Sequence, residues 1–382
     1  MNVLKPVRRT LTIAGKEWIH IRRDSRSLIL SLIAPALLVL LFGYALNMDV
    51  KNVKTVVLDH DRTAFTRQFV ERFSHTEYIR MMGMVDSYKE IDDLIDSGDA
   101  VMAIVIPPGF TADVKSGKRA RIQVLVDGSD SMSSTVAVGY VRAITTQFNI
   151  ETQIGSLGEI GITGARLPID VRSRVWYNEE MLSKNFVIPG IIVIILAIIA
   201  ALITSLTISR EWERGTMETL ITTPVRPAEI MIGKIIPYLV IGAFDVAMAL
   251  ALGSFIFDIH MRGSFLELLA LSMVFLTGMS ALGMVISSVT RVQVLSIQAA
   301  MIVTYLPSFI LSGFVFPVKN MPVVIQAITY LIPAKYMIAI IKGIALKGVP
   351  ATLLHTQVAF MVAFAVFMLL LCVKKIRLTI PE

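Results

Sequence analysis

Val187-Ile-Pro-Gly-Ile-Ile-Val-Ile-Ile-Leu-Ala-Ile-Ile-Ala-Ala-Leu-Ile-Thr-Ser-Leu-Thr-Ile208 runs for 22 residues without a charged side chain. A hydrocarbon layer about 30 Å thick takes roughly 20 such residues as a helix, so the stretch reads as a membrane span. Five more segments qualify, at about 28–46, 235–257, 265–289, 294–316 and 355–373. The composition agrees: 382 residues are 55% hydrophobic and 17% charged, with a mean hydropathy of +0.70. A soluble domain has about 45–50% apolar and about 25% charged residues, which sets a soluble enzyme aside. The chain is read as an α-helical integral membrane protein with six spans.

The long polar stretch between the first two spans, 47–186, carries 16 Lys and Arg against 19 Asp and Glu, whereas the rest of the chain carries 20 against 10. The net charge of +7 therefore belongs to the apolar part. No basic cluster is interleaved with aromatics as in a nucleic-acid groove, so nucleic acid is not an expected partner. With the N-terminus in the cytoplasm, 15 Lys and Arg fall inside and five, Arg262, Lys319, Lys335, Lys342 and Lys347, fall in short outer loops. The positive-inside bias then places both termini in the cytoplasm and 47–186 outside.

The first span, 27–46, is preceded by too long a polar segment and is itself too long for a cleaved signal peptide. It is read as an anchor. Before it, Val7, Leu11, Ala14, Trp18 and Ile21 form one helical stripe. Residues 1–26 thus suit a cytoplasmic amphipathic helix lying in the membrane interface; a soluble helix packing on a partner has the same pattern. The external segment reads as an α/β layer. Strands are expected at Thr55–Leu58, Val101–Ile106, Ile122–Val126 and Val171–Tyr177, with a helix opened by the capping-box spacing of Ser87 and Glu90. Gly155, Gly158, Gly161 and Gly164 mark a turn-rich stretch.

Phosphate-loop and metal motifs are missing: there is no G-x-x-x-x-G-K-[ST], and His60, His75, His260 and His355 lack ligand spacing. Cys372 is the single cysteine. No cofactor or metal site is expected in the chain itself, and no catalytic residue.

The loop between the second and third spans is more informative: Ser209-Arg-Glu-Trp-Glu-Arg-Gly-Thr-Met-Glu-Thr-Leu-Ile-Thr-Thr-Pro224. Arg210, Glu211, Glu213, Arg214 and Glu218 make a short charged helix, Thr223-Pro224 breaks it, and Pro227 with Glu229 starts the next. About 25 residues (209–234) of alternating charge, where four would turn the chain, point to a docking surface. Here the sequence resembles the membrane subunit of ABC-2-type exporters, whose loop follows E-R-E-x-G-T-x-E-x-L-x-x-T-P. Glu211, Glu213, Arg214, Gly215, Thr216, Glu218, Leu220, Thr223 and Pro224 stand in those places, with Trp212 where the family has a polar residue. Lys16-Glu17, Arg23-Asp24, Arg262-Gly263-Ser264 and Leu331-Ile-Pro-Ala-Lys-Tyr336 extend the likeness. One span, a large ectodomain and five more spans looks like the bacterial drug-efflux subgroup.

The resemblance implies a fold of six transmembrane helices with an inserted periplasmic α/β domain. It implies a permease of the bacterial inner membrane that moves drugs or other amphiphiles outward by alternating access. Two separate ABC ATPase subunits would hold ATP and Mg and dock on Arg210, Glu211, Glu213, Arg214, Gly215, Thr216, Glu218, Thr223 and Pro224. It also implies a second permease, identical or related, and a periplasmic adaptor with an outer-membrane channel. Between the last two spans, the short apolar pieces Val323–Tyr330 and Ala334–Ile341 are parted by Pro333. Residues 317–345 are expected as an external re-entrant hairpin, a gate in the family, with Pro322, Pro333, Lys335 and Tyr336 as its marked residues.

Asp245 lies near the middle of the third span, where a carboxylate costs at least about 2.5–3.5 kcal/mol on insertion scales. It reads either as a substrate or proton site or as a packing residue meeting Gln298. Rival functions are a lipid or polysaccharide exporter, a membrane-anchored sensor or scaffold, and an ion-coupled transporter; the last predicts an inverted repeat that is not visible.

Overall fold

A computed structural model describes residues 4–45, 52–129, 131–159 and 183–376. The chain divides into two compact units, Asp49–Ser173 and the remainder. Two helices lead: α1 (Leu4–Arg23) and α2 (Ser25–Ala45).

The unit that follows contains β1 (Val53–Asp59), α3 (Ala64–Ser74), β2 (Ile79–Met84), α4 (Tyr88–Asp96), β3 (Met102–Ile106), α5 (Phe110–Lys115), β4 (Gln123–Val126) and α6 (Ser131–Glu159). The strand order is β2-β1-β3-β4, with β1 parallel to β2 and β3, and β4 antiparallel to β3. Alternate residues sort to opposite faces. Val53, Val57, Met102, Ile104 and Ile106 meet Phe69 and Phe73 of α3, Phe110 of α5 and Phe148 of α6. Val56, Leu58, Ala103 and Val105 meet Ile91 of α4. Because helices cover both faces, the two central strands are nearly uninterrupted apolar runs.

Three of the four expected strands correspond to β1, β3 and β4. Val171–Tyr177 lies outside the described residues, as do Gly161 and Gly164. Strand β2 was not expected: Ile-Arg-Met-Met-Gly-Met has little β-branching and sits at an edge, largely exposed. Gly155 and Gly158 fall inside α6 rather than in a turn. At the start of α4, Ser87 accepts the Glu90 amide, but Glu90 accepts the amide of Asp86, one residue before the cap. The capping pair is thus offset from the expected reciprocal form.

The other unit continues with α7 (Lys184–Glu213), α8 (Thr216–Ile221), α9 (Pro227–Phe255), α10 (Phe265–Thr290), α11 (Gln293–Ile310), α12 (Val323–Thr329), α13 (Pro333–Ile341) and α14 (His355–Lys375). Helices α7, α9, α10, α11 and the 351–375 segment ending in α14 are long and apolar enough to cross a membrane. In α2 the apolar part is the shorter Ser31–Ala45. Helix α11 ends at Ile310, before the expected 316, and Gly313 follows with φ +81°. Where the hairpin is expected, α12 and the segment beginning at α13 are two helices bent by 75° at their junction.

Helix α7 is the most enclosed, packing against α2, α9, α10, α11 and α13. It meets α10 closely at Gly283, where a Cβ would overlap the Ala201 carbonyl oxygen and Thr204 Oγ1. One turn on, Ser287 Oγ accepts the amides of Ile208 and Ser209 at 3.1 and 2.8 Å. A small residue and a hydroxyl thus let two helices meet backbone to backbone.

Two expectations follow. Gly283→Val overpacks the seam and should cost about 1–3 kcal/mol or more, whereas Gly139→Ala on α6, with open space around the missing Cβ, should be neutral or stabilising by about 0.5–1 kcal/mol; thermal unfolding in detergent distinguishes them. In the sheet unit, the Thr111 hydroxyl, then the Thr111 and Gly109 amides, hold the Asp61 carboxyl below its ordinary 3.8. A depressed carboxyl stabilises above its unfolded value and loses that contribution as pH falls through its folded one. Asp61→Asn should therefore unfold below wild type near neutral pH, with the two melting curves converging in acid.

Candidate functional site

The apolar run of α7 ends at Ile208, yet the helix continues through Ser209, Arg210, Glu211, Trp212 and Glu213. Gly215, at φ +69°, breaks it and caps the six-residue α8. Positive φ strains residues with a Cβ, so Gly215 fixes the corner. Pro227 at the first turn starts α9, and Glu229 Oε2 accepts the Arg226 amide at 3.0 Å. The charged helix expected over 210–218 is therefore two pieces joined at Gly215.

Behind that corner lies a charge network shared by three helices. Lys234 Nζ of α9 donates to Glu17 Oε2 of α1 at 2.9 Å and to Glu211 Oε1 of α7 at 3.1 Å, and sits 3.5 Å from the Thr207 carbonyl oxygen. Tyr238 OH donates to Glu17 Oε1 at 2.9 Å. Lys16 donates to Glu211 Oε1 at 3.0 Å, and the Thr216 hydroxyl to Glu211 Oε2. Glu17, Glu211 and Lys234 are 2–4% exposed. Two ammonium groups face two carboxylates, so the network is balanced in charge. Gly233 admits α1 here, since a Cβ would strike Ile13 and the Thr10 carbonyl.

The residues expected to dock are thus split. Glu211 turns inward. Arg210 pairs with Asp24 at 3.7 Å. Glu213 accepts the Gln293 amide at 2.7 Å and its side-chain amide, holding the start of α11, and Arg291 lies 4.6 Å above the Trp212 ring. Thr216 serves Glu211, although its residue is exposed. Arg214, Gly215, Glu218, Thr223 and Pro224 face outward, with the Pro224 carbonyl accepting Arg9 of α1. Sequence reasoning did not assign Glu17, Lys234 or Tyr238 to a site. Their signal was an acid spaced with Ile13 and Ile21 on one helical face, and a Lys/Tyr pair four apart entering an apolar span.

Helix α1 buries Ile13, Ala14, Glu17 and Ile21 and leaves Val7, Leu11 and Trp18 exposed. Only part of the expected stripe faces the protein. A cavity of about 530 Å³ lies between α2, α7 and α11, walled by residues such as Leu38, Ile195, Leu202, Met301 and Phe309, with Asp24, Arg210 and Tyr238 among its lining. Asp245 is not in it. It is buried against α7 and α10 beside Leu276 and Ser280, whereas Gln298 is exposed on α11, so these two expected path residues are not brought together.

In the hairpin, Pro322 caps α12 and Pro333 opens α13. Lys335 Nζ donates to Thr329 Oγ1 at 2.8 Å and lies 3.9 Å above the Tyr330 ring. Tyr336 OH donates to the Tyr330 carbonyl at 2.8 Å and stacks on Phe360 at 5.1 Å. The joint is therefore pinned from both sides.

Removing one partner of a buried ion pair leaves an uncompensated charge and costs about 3–5 kcal/mol. Lys234→Ala should lose that much in detergent unfolding, and Lys234→Met with Glu17→Gln and Glu211→Gln should recover most of it.

A model of the ABC-2 family transporter protein matches residues 26–374. The chain is 34% identical over 366 residues to the probable multidrug ABC transporter permease YbhS of Escherichia coli strain K12, covering 96% of each chain. It is 30% identical over 340 residues to the probable multidrug ABC transporter permease YbhR of the same strain, covering 86% of this chain and 89% of that one. It is 25% identical over 301 residues to the inner membrane transport permease YhhJ, covering 76% of each. The long apolar helices and a match spanning the bundle and its loop make this chain a multi-pass membrane member of the ABC-2 transporter family.

Proposed function

We propose that the chain is the permease of an ATP-driven ABC-2 exporter that carries drugs or other amphiphilic small molecules from the cytoplasm or inner leaflet outward by alternating access. The observation that carries this reading is the cavity of about 530 Å³ between α2, α7 and α11. Its volume suits a drug-sized ligand, its walls are almost wholly apolar, and one end holds the Asp24–Arg210 pair. The names of the relatives YbhS and YbhR support the drug class.

Two ABC ATPases, holding ATP and Mg, would dock on the outward residues of the corner: Arg214, Gly215, Glu218, Thr223 and Pro224. Glu211, Glu213, Arg210 and Thr216 would act from behind, as positioning residues that tie the corner to α1 and α11. A push on α8 would then reach α7 and α9 through Lys234, and a conformational change of this kind works through contacts that differ between two states. Helix α2 is read as the sixth span, with both termini in the cytoplasm and the sheet unit as a periplasmic α/β domain available to an adaptor and outer-membrane channel. A second permease, identical or related, would close the flank where α2 and α11 expose Ile33, Leu37, Leu41, Leu295, Ile302 and Leu306. The α12–α13 hairpin would close the outer end of the path.

Arg214→Glu with Glu218→Arg changes only outward charges. The pair should cut substrate-stimulated ATP hydrolysis and dye efflux at least about tenfold, about 1.4 kcal/mol, while insertion and the unfolding temperature stay at wild-type values. Unchanged efflux and unchanged co-purification of an ATPase would refute the docking surface.

A further inference from the structure

Asp245 is 2% exposed, and its Oδ1 has no hydrogen-bond partner. It lines a small cavity of about 20 Å³ whose other polar side chains are Tyr238 and Ser280, the rest being apolar groups such as Ile199, Ile203 and Leu276. That space exceeds the roughly 10–15 Å³ one water needs and is far below the roughly 300 Å³ of an organic ligand site. The site has room for water and a proton and for little else.

Among the described residues, nothing nearby offers a countercharge. At the cavity α7 and α10 present no titratable side chain. On α2 no titratable group lies between Ser27 and Phe42. On α14 the thiol of Cys372 clusters with Ile235, about 15 Å down the axis of α9 from Asp245 at 1.5 Å per residue. Lys234 is about 16 Å away by the same measure and is already held by Glu17 and Glu211, and Lys16 of α1 is committed to Glu211. An isolated carboxylate in such a place is strongly disfavoured against its neutral acid.

Lys234, Tyr238 and Asp245 are spaced i, i+4 and i+11, which puts them on one face of α9. The stripe continues a connected polar chain: Lys16, half-exposed at its side chain, to Glu211, to Lys234, to Glu17, to Tyr238. Tyr238 also lines the larger cavity, together with Ile199, Ile203 and Ile241, which wall both spaces. A rotation of the Tyr238 ring would join them and admit water to Asp245.

We propose that Asp245 is an exchangeable proton-binding site, occupied in this conformation, with Tyr238 gating its access to water. When the gate opens the acid gives its proton to water, leaving carboxylate and hydronium; on closure hydronium returns the proton and the water is expelled. Because the larger cavity is the one assigned to substrate, opening the gate links proton exchange at Asp245 to the path the proposed function assigns to cargo.

Infrared difference spectroscopy of the detergent-solubilised full chain tests this. A carboxylic-acid C=O band is expected near neutral pH that is lost in Asp245→Asn, shifts on transfer to D2O and disappears in alkali. Carboxyl-¹³C aspartate should shift the same band in the unsubstituted chain, which assigns it to an aspartate, and Asp245→Glu, which keeps an acid there, should retain a band that the label no longer shifts. Tyr238→Ala, which merges the cavities, should speed the exchange of that band in D2O at least about tenfold. A neutral-pH spectrum with no isotope-sensitive acid band would overturn the protonated state, and a band that resists exchange in D2O would overturn the gated access.

Discussion

A single ammonium group, that of Lys234, must find its partners inside the protein, and the end of the bundle where α1, α7, α8 and α9 meet is arranged around that requirement. An ion taken out of water carries a penalty of several kcal/mol that only close, well-directed partners offset. Those partners come from two other helices, Glu17 of α1 and Glu211 of α7. The carboxylates have further oxygens to satisfy, which recruits Tyr238, Lys16 and Thr216. The position of α1, the direction of the last turn of α7 and the first residue of α8 therefore depend on one another. The Gly233 contact with Ile13 and the Arg9 contact with the Pro224 carbonyl are secondary, since they need α1 to be in place already.

The spans were legible because hydrocarbon imposes length and composition at once, and α7, α9, α10, α11 and α14 all fall where apolar runs occur. The break between α12 and α13 was legible for a related reason: Pro333 does not continue a preceding helix. The charged loop after α7 was legible in extent but not in orientation. A run of alternating charge does not state which carboxylate faces inward, and Glu211 and Glu213 differ only by what stands opposite them, Lys234 in one case and Gln293 in the other. The same holds in α1, where the apolar stripe puts Val7, Leu11, Ala14, Trp18 and Ile21 on one face suited to the membrane interface; the pairing of Glu17 turns Ile13, Ala14 and Ile21 toward the protein and leaves Val7, Leu11 and Trp18 exposed. Strand β2 escaped because an edge strand buried on little of its surface needs no β-branched pattern.

The polar residues of α9 give that helix two duties. Near its start it is a structural member, fixed by full charge pairing. Two turns above Tyr238 it carries Asp245, for which the described residues offer no such pairing. Tyr238 stands between, bonded to the network at one end and forming part of the wall of both cavities. The contrast between a satisfied and an unsatisfied acid on one face of one helix separates the part that must hold from the part free to change state.

The Gly283 contact has a mechanical corollary. Where two helices touch at their backbones with a shared hydroxyl, little side-chain volume remains between them to deform, and α10 is in turn packed on α14. Helices α7, α10 and α14 then resemble a stiff block, while α2 and α11 pack on α7 and, beyond those contacts, wall the large void with it. A load arriving at the Gly215 corner would be delivered as tilt of that block about its far end. Whatever occupies the void would experience a change in the separation of its walls, with no helix in the block having to bend.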